Sequence, residues 1–159
     1  MITTNKANDI LKLFFGQSKQ ITTSGNCYLG LSTTTPNADG SNFSEPYTDA
    51  EGNDTGYARV QININEAQQY TNHMTVPSNG SITNNMEITF PEALVNYPAD
   101  VTHFGVFDVK SGGTPLYTHA LTAATASEDG TYAVQPVSVE AGEVLLFRQG
   151  SLSLAFAQE

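Results

Sequence analysis

Alternation of apolar and polar positions runs through most of this chain, with the two-residue period of half-buried β-strands. It is clearest at 57–64, where Ala58, Val60, Ile62 and Ile64 fall on one side and Tyr57, Arg59, Gln61 and Asn63 on the other. That pattern predicts a strand with one hydrated face. Residues 27–32 turn Leu29 and Leu31 inward and end in the Thr33-Thr-Thr-Pro36 turn. Across 101–109, Phe104 and Val106 alternate with His103, Gly105 and Phe107, and two apolar faces predict a central strand covered on both sides. Lys110-Ser-Gly-Gly113 tolerates positive φ, so the chain is expected to reverse there and return along 115–121 as a hairpin partner. Weaker strands are expected at 73–76 and 82–90, on either side of Pro77-Ser-Asn-Gly80, and at 132–139, 144–147 and 151–156.

The N-terminus follows a different period. Ala7, Ile10, Leu11 and Phe14 recur at helical spacing, Thr4 or Asn5 can cap the first turn, and Gly16 can end the last, which predicts a short amphipathic helix within 1–16. Such a helix either packs across the β core or docks the subunit to a neighbour. Leu13 and Phe15 widen its apolar stripe beyond what one sheet face needs, which favours a second surface. Between the strands at 27–32 and 57–64 lies a polar excursion, 37–56, rich in Asn, Asp, Gly and Pro and without a repeat. Loops of about twenty residues are uncommon in compact domains and are usually functional or interfacial. This one is a candidate contact loop, and Phe43 and Tyr47 are its candidate contact residues beside Ile10, Leu11, Phe14 and Phe15 of the helix.

Composition narrows the class. A chain of 159 residues fits one domain, 1–159, able to bury roughly 70% of its unfolded surface. The eight to nine strands read above, together with 39% hydrophobic and 14% charged residues, predict an all-β fold: a two-sheet antiparallel sandwich of jelly-roll type with a short N-terminal α-helix. The formal net charge of −10 repels phosphate backbones and argues against nucleic-acid binding. The six cations, Lys6, Lys12, Lys19, Arg59, Lys110 and Arg148, form no basic membrane patch. Partners are expected to be protein or glycan, with no membrane insertion. The single Cys27 has no disulfide partner and reads as a small core residue. The start, Met1-Ile-Thr-Thr, lacks the basic and long apolar regions of a signal peptide, so synthesis and folding in a cytoplasm are expected.

Candidate chemistry is sparse. No Gly-x-Ser-x-Gly elbow occurs, and His103 falls inside a strand, so the chain reads as non-enzymatic, with no catalytic residues and no cofactor. Asp49 with Glu51, and Glu128 with Asp129, read as solvated charge rather than as a glycosidase pair. Asp39, Asp49, Glu51 and Asp54 supply the oxygen ligands that calcium favours, with Asn53 and Gly52 between them, yet their spacing is not that of an EF-hand. His73, His103 and His119 lack zinc-type spacing.

A short helix precedes Tyr28-Leu-Gly-Leu-Ser-Thr-Thr-Thr-Pro36, Glu45-Pro46, Gly56-Tyr-Ala-Arg-Val60, Ile88-Thr-Phe-Pro91 and Val101-Thr-His-Phe-Gly-Val-Phe-Asp108. Gly112-Gly113, Ala141-Gly142 and Gly150-Ser-Leu-Ser-Leu154 follow. This order, over nearly the whole chain, resembles the small virion proteins of tailed phages and prophages usually labelled tail fibre protein. Members often carry Trp before the Val-Thr-His strand, where this chain has Tyr97, which keeps an aromatic plug. The resemblance implies a virion structural protein, made in the bacterial host cytoplasm, that acts as a compact tail appendage or a capsid-decorating subunit. The absence of repeats excludes a long shaft. Expected partners are further copies of the chain, a trimer by analogy, and other virion proteins. The alternative is a host-surface receptor or glycan-binding module, for which Tyr28, Tyr47, Tyr57 and Tyr70 could stack on sugar.

Overall fold

The computed structural model describes residues 2–15, 26–63, 73–75, 78, 81–122 and 134–155. Along the chain these form α1 (Thr4–Phe14), β1 (Cys27–Ser32), β2 (Val60–Asn63), β3 (Ser81–Thr83) and β4 (Ile88–Thr89). They continue with β5 (His103–Phe107), β6 (Tyr117–Ala120), β7 (Leu146–Phe147) and β8 (Ser153–Ala155). All strand pairing is antiparallel: a four-stranded sheet in the order β2-β1-β5-β6, and two small sheets, β3 with β8 and β4 with β7.

The central strand expected at 101–109 is β5, paired with β1 on one side and β6 on the other. The Gly-Gly reversal is present as well, with Gly112 at φ 64° and Gly113 at φ 71°. Leu29, Leu31, Phe104 and Val106 face one way and join Ile88, Phe90, Phe147 and Leu152 in the core, where Phe104 meets Phe147 edge-on at 5.8 Å. On the opposite face Gly30 of β1 stands directly across from Gly105 of β5. Neither position has room for a side chain: a Cβ on Gly105 would come within 2.6 Å of the Phe43 ring, and one on Gly30 within 2.9 Å of the Phe107 ring. The two glycines therefore form a trough, which Phe43 and Phe107 fill as an edge-on pair at 5.1 Å. Phe43 belongs to the 37–56 excursion, so that segment covers the second face of the sheet, and its Gly40, Pro46 and Thr55 are buried.

Three expectations are corrected. The strand expected at 57–64 starts only at Val60, as β2, and Tyr57 and Arg59 of its expected hydrated side are buried. The strand expected at 82–90 divides into β3 and β4, which belong to different sheets. Asn84 interrupts it: its buried amide donates to the carbonyls of Met86 and Arg148, both at 2.8 Å, and accepts from Leu152 N–H at 2.9 Å. An asparagine that saturates the backbone of a neighbouring turn fixes a corner rather than a ladder position. The helix cap lies one residue earlier than Thr4, since Ala7 N–H donates to the Thr3 carbonyl at 2.9 Å.

Other expected strands are shorter than their patterns. Val134 and Val137 form only isolated bridges, to Thr122 and Val101, and Met74 bridges Asn84. Gly16, Ile64, Val76, Tyr132 and Phe156, which the sequence patterns also involve, lie outside the described residues.

The α1 helix is held from its first residues. Thr3 N–H donates to Leu116 O at 3.0 Å, Thr4 N–H donates to Ala38 O at 3.1 Å, and Ile2 bridges Tyr117 on the outer side of β6. Among the described residues no Cα of α1 comes within 8 Å of a strand Cα. No helix among them is long and apolar enough to cross a membrane.

Candidate assembly surface

A polar centre inside the protein holds the 37–56 segment in place. Arg59 forks onto Glu45, with Nε on Oε1 and Nη2 on Oε2, both at 2.7 Å. Its Nη1 donates to the carbonyls of Val109 at 2.9 Å and Gly112 at 2.8 Å, which fastens the β5–β6 turn to the same group. The guanidinium lies over the Phe107 ring, 3.3 Å from its centroid. The Tyr57 hydroxyl donates to Glu45 Oε1 at 2.9 Å and accepts from Leu31 N–H at 2.8 Å. Burial, and then the Glu45 charge, push that hydroxyl far above the usual tyrosine range, so it remains a donor. Side chains of Arg59 and Glu45 are only 1% and 9% exposed, yet most of their hydrogen-bonding capacity is used, which is what makes a buried ion pair tolerable. Sequence reasoning took Arg59 for a solvated side chain. The available signal was its place among Tyr57, Val60 and Ile62 in a chain with only six cations.

With that segment anchored, the candidate contact residues separate. Phe43 is half-buried on Phe107, and Tyr47, partly exposed, meets Tyr57 edge-on at 5.0 Å; both are built into the cover of the sheet. On α1 Ile10 is half-buried and Leu11 52% exposed, and Phe15, the residue after the helix, is 76% exposed. The side chain of Phe14 lies outside the described residues.

The candidate calcium ligands do not converge. Asp39 accepts from Ser41 N–H and Oγ at 2.9 and 2.7 Å, and these bonds hold its carboxyl below the usual range. Asp49 accepts from the backbone of Glu51 and Asn53 and from Asn53 Nδ2, which lower its pKa in the same way, with the Asn53 side chain the leading cause. Asp54 accepts from Gly56 N–H at 2.8 Å. These are turn-forming bonds. Asp49 and Glu51 do border an open hollow of about 460 Å³ beside Tyr97 and Pro98, but no group of three or more His, Cys, Asp or Glu able to hold a metal occurs among the described residues.

An open groove of about 930 Å³ lies between the end of β6 and β7. Phe104, His119 and Leu121 form one wall; Val134, Val137, Val144 and Leu146 form much of the rest. Those last four residues are all exposed, and they are four of the ten exposed large hydrophobic residues among the described residues. Apolar exposure is thus gathered into one concavity, which marks a contact surface more than scattered single residues would. Among the described residues no Asp, Glu, Lys or Arg lines it. His119 stacks on Phe104 at 6.0 Å and on Tyr117 at 6.3 Å. Beside it, His103 is held below the usual histidine range by burial and then by the His119 charge.

No curated protein matches the chain. Residues 1–155 match the family described as Podophage GP4 fiber I protein gp80, so the chain belongs to that family of phage tail-fibre structural proteins, components of the virion assembled in the host.

Proposed function

We propose that the chain is a compact tail-fibre subunit that acts through protein–protein assembly contacts and forms a homo-oligomer, the trimer being the working symmetry. The observation that carries this reading is an amphipathic helix tethered at its start, with Leu11 exposed on it and Phe15 exposed immediately after it. A stripe of that kind in a folded subunit is a surface for a second protein. Ile10 and Phe14 belong to the same stripe, and Tyr47 supplies a secondary contact. The body that presents them is read as one domain, with sheets packed as a jelly-roll sandwich.

Light scattering on the purified chain tests the reading. An oligomer at roughly 100 μM, about a hundred times a dissociation constant of ~1 μM, supports it. A monomer that also fails to join particles lacking the protein overturns it. Capsid decoration and tail attachment are separated by labelling the particle and locating the copies.

A glycan-binding module is the second reading, favoured by the near-parallel Tyr117–His119 rings, 6° apart, beside the groove. A glycan array with no bound sugar removes it.

A further inference from the structure

Resting on the assembly reading, we infer that copies of the chain associate head to tail, with Leu11 of α1 and Phe15 just past its end in one copy seated in the groove between β6 and β7 of the next. Three observations converge on this pairing.

The first is chemical fit. The groove is lined largely by apolar side chains, has no Asp, Glu, Lys or Arg among its described residues and, at about 930 Å³, has the volume of a pocket that takes a small ligand, about 300–1,000 Å³. The helix offers an exposed leucine and an exposed phenylalanine one turn apart on one stripe.

The second is charge. Residues 1–20 carry three lysines against one aspartate, a net +2, whereas residues 21–159 carry three cations against fifteen carboxylates, a net −12. Two whole copies repel, but the N-terminal segment of one is attracted to the body of another. An α1-to-α1 contact would instead bring Lys6 and its neighbours against the same charges in the second copy, and a groove-to-groove contact would face one concavity with another.

The third is position. Leu11 and Phe15 are exposed, and so are Val134, Val137, Val144 and Leu146 of the groove, so the one does not cover the other within a single molecule. Knob and hole are therefore different places on one molecule, which makes the contact heterologous; it closes into a ring or extends as a chain according to the rotation per copy.

Complementation between two variants is the test. Leu11→Asp/Phe15→Asp removes the knob, and Val137→Asp/Leu146→Asp spoils the hole. All four positions are exposed, so urea midpoints should remain near wild type. Each variant alone should self-associate at least ~10-fold more weakly, the loss expected when central apolar anchors are removed. Mixed in equal amounts, the two variants should form a one-to-one dimer, because the intact helix of one meets the intact groove of the other.

An oligomer that the groove variant leaves unchanged, or a mixture that stays monomeric, overturns the head-to-tail contact while leaving the assembly reading intact. A wild-type monomer overturns both. Should a variant fold poorly, Phe15→Cys and Leu146→Cys chains mixed under oxidation give an independent answer: a covalent heterodimer beyond the level of the parent, which has only Cys27, supports the contact, and its absence refutes it.

Discussion

Removing one member of the Glu45–Arg59 pair should be the most damaging polar substitution in the protein. In Glu45→Met the guanidinium keeps the Val109 and Gly112 carbonyls and the Phe107 ring, but loses both carboxylate bonds at 2.7 Å, and the Tyr57 hydroxyl loses its acceptor. In Arg59→Met a nearly buried carboxylate retains hydroxyl donors alone, and two turn carbonyls lose theirs. Breaking a buried pair from one side typically costs about 3–5 kcal/mol, a large part of the ~5–15 kcal/mol that holds a domain together. For a chain of this size that corresponds to a fall in melting temperature of about 6–20 °C. In the double variant Glu45→Met/Arg59→Met no charge is left buried, so its loss should not exceed that of the worse single variant and should fall below the sum of the two by ~3 kcal/mol. Urea unfolding at pH 7, with midpoints and slopes for all four proteins, measures the cycle. Single losses below about 1 kcal/mol, or additive losses in the double variant, would show that the pair does not anchor the 37–56 segment.

Gly105→Ala should destabilise by about 1–3 kcal/mol through overpacking against Phe43, and adding Phe43→Leu should recover part of that loss; a neutral Gly105→Ala in thermal unfolding refutes the trough. Asn84→Leu, of similar size but with no amide, should cost about 1–3 kcal/mol by leaving the buried Leu152 N–H without its acceptor and the Met86 carbonyl without the amide donor, while the Arg148 carbonyl keeps Ser151, and a urea midpoint equal to wild type would sink the corner argument. His103 has its pKa depressed below the 6.5 of the free side chain by burial and by His119, so the unfolded chain takes up the proton first. Its contribution is complete above pH 6.5 and is lost as the pH falls through the folded value. His103→Gln should flatten the decline in urea midpoint between pH 7 and 5, and slopes matching wild type contradict this. The lowered Asp39 and Asp49 values act only at lower pH, below the ordinary carboxylate range.

Local pattern by itself determined a good deal of this protein: the β class, β1, β5 with its two covered faces, the Gly-Gly reversal into β6, and the position of α1. Each depends on side-chain period or on backbone freedom within a few residues, and that information is written locally. The order of the motifs also carried the relationship to phage tail-fibre proteins. What only the tertiary structure decided depends on partners far away in the chain. Arg59 reads as a solvated residue until Glu45, Phe107 and the Val109 and Gly112 carbonyls surround it, and its burial is tolerable only because all of them are present. Asn84 reads as one more polar position in a strand until the turn at 148–152 supplies the groups that its amide completes. The groove is likewise invisible in sequence, because Val134, Val137, Val144 and Leu146 have the alternation of core residues, and the pattern records apolarity without recording whether anything in the same chain covers it.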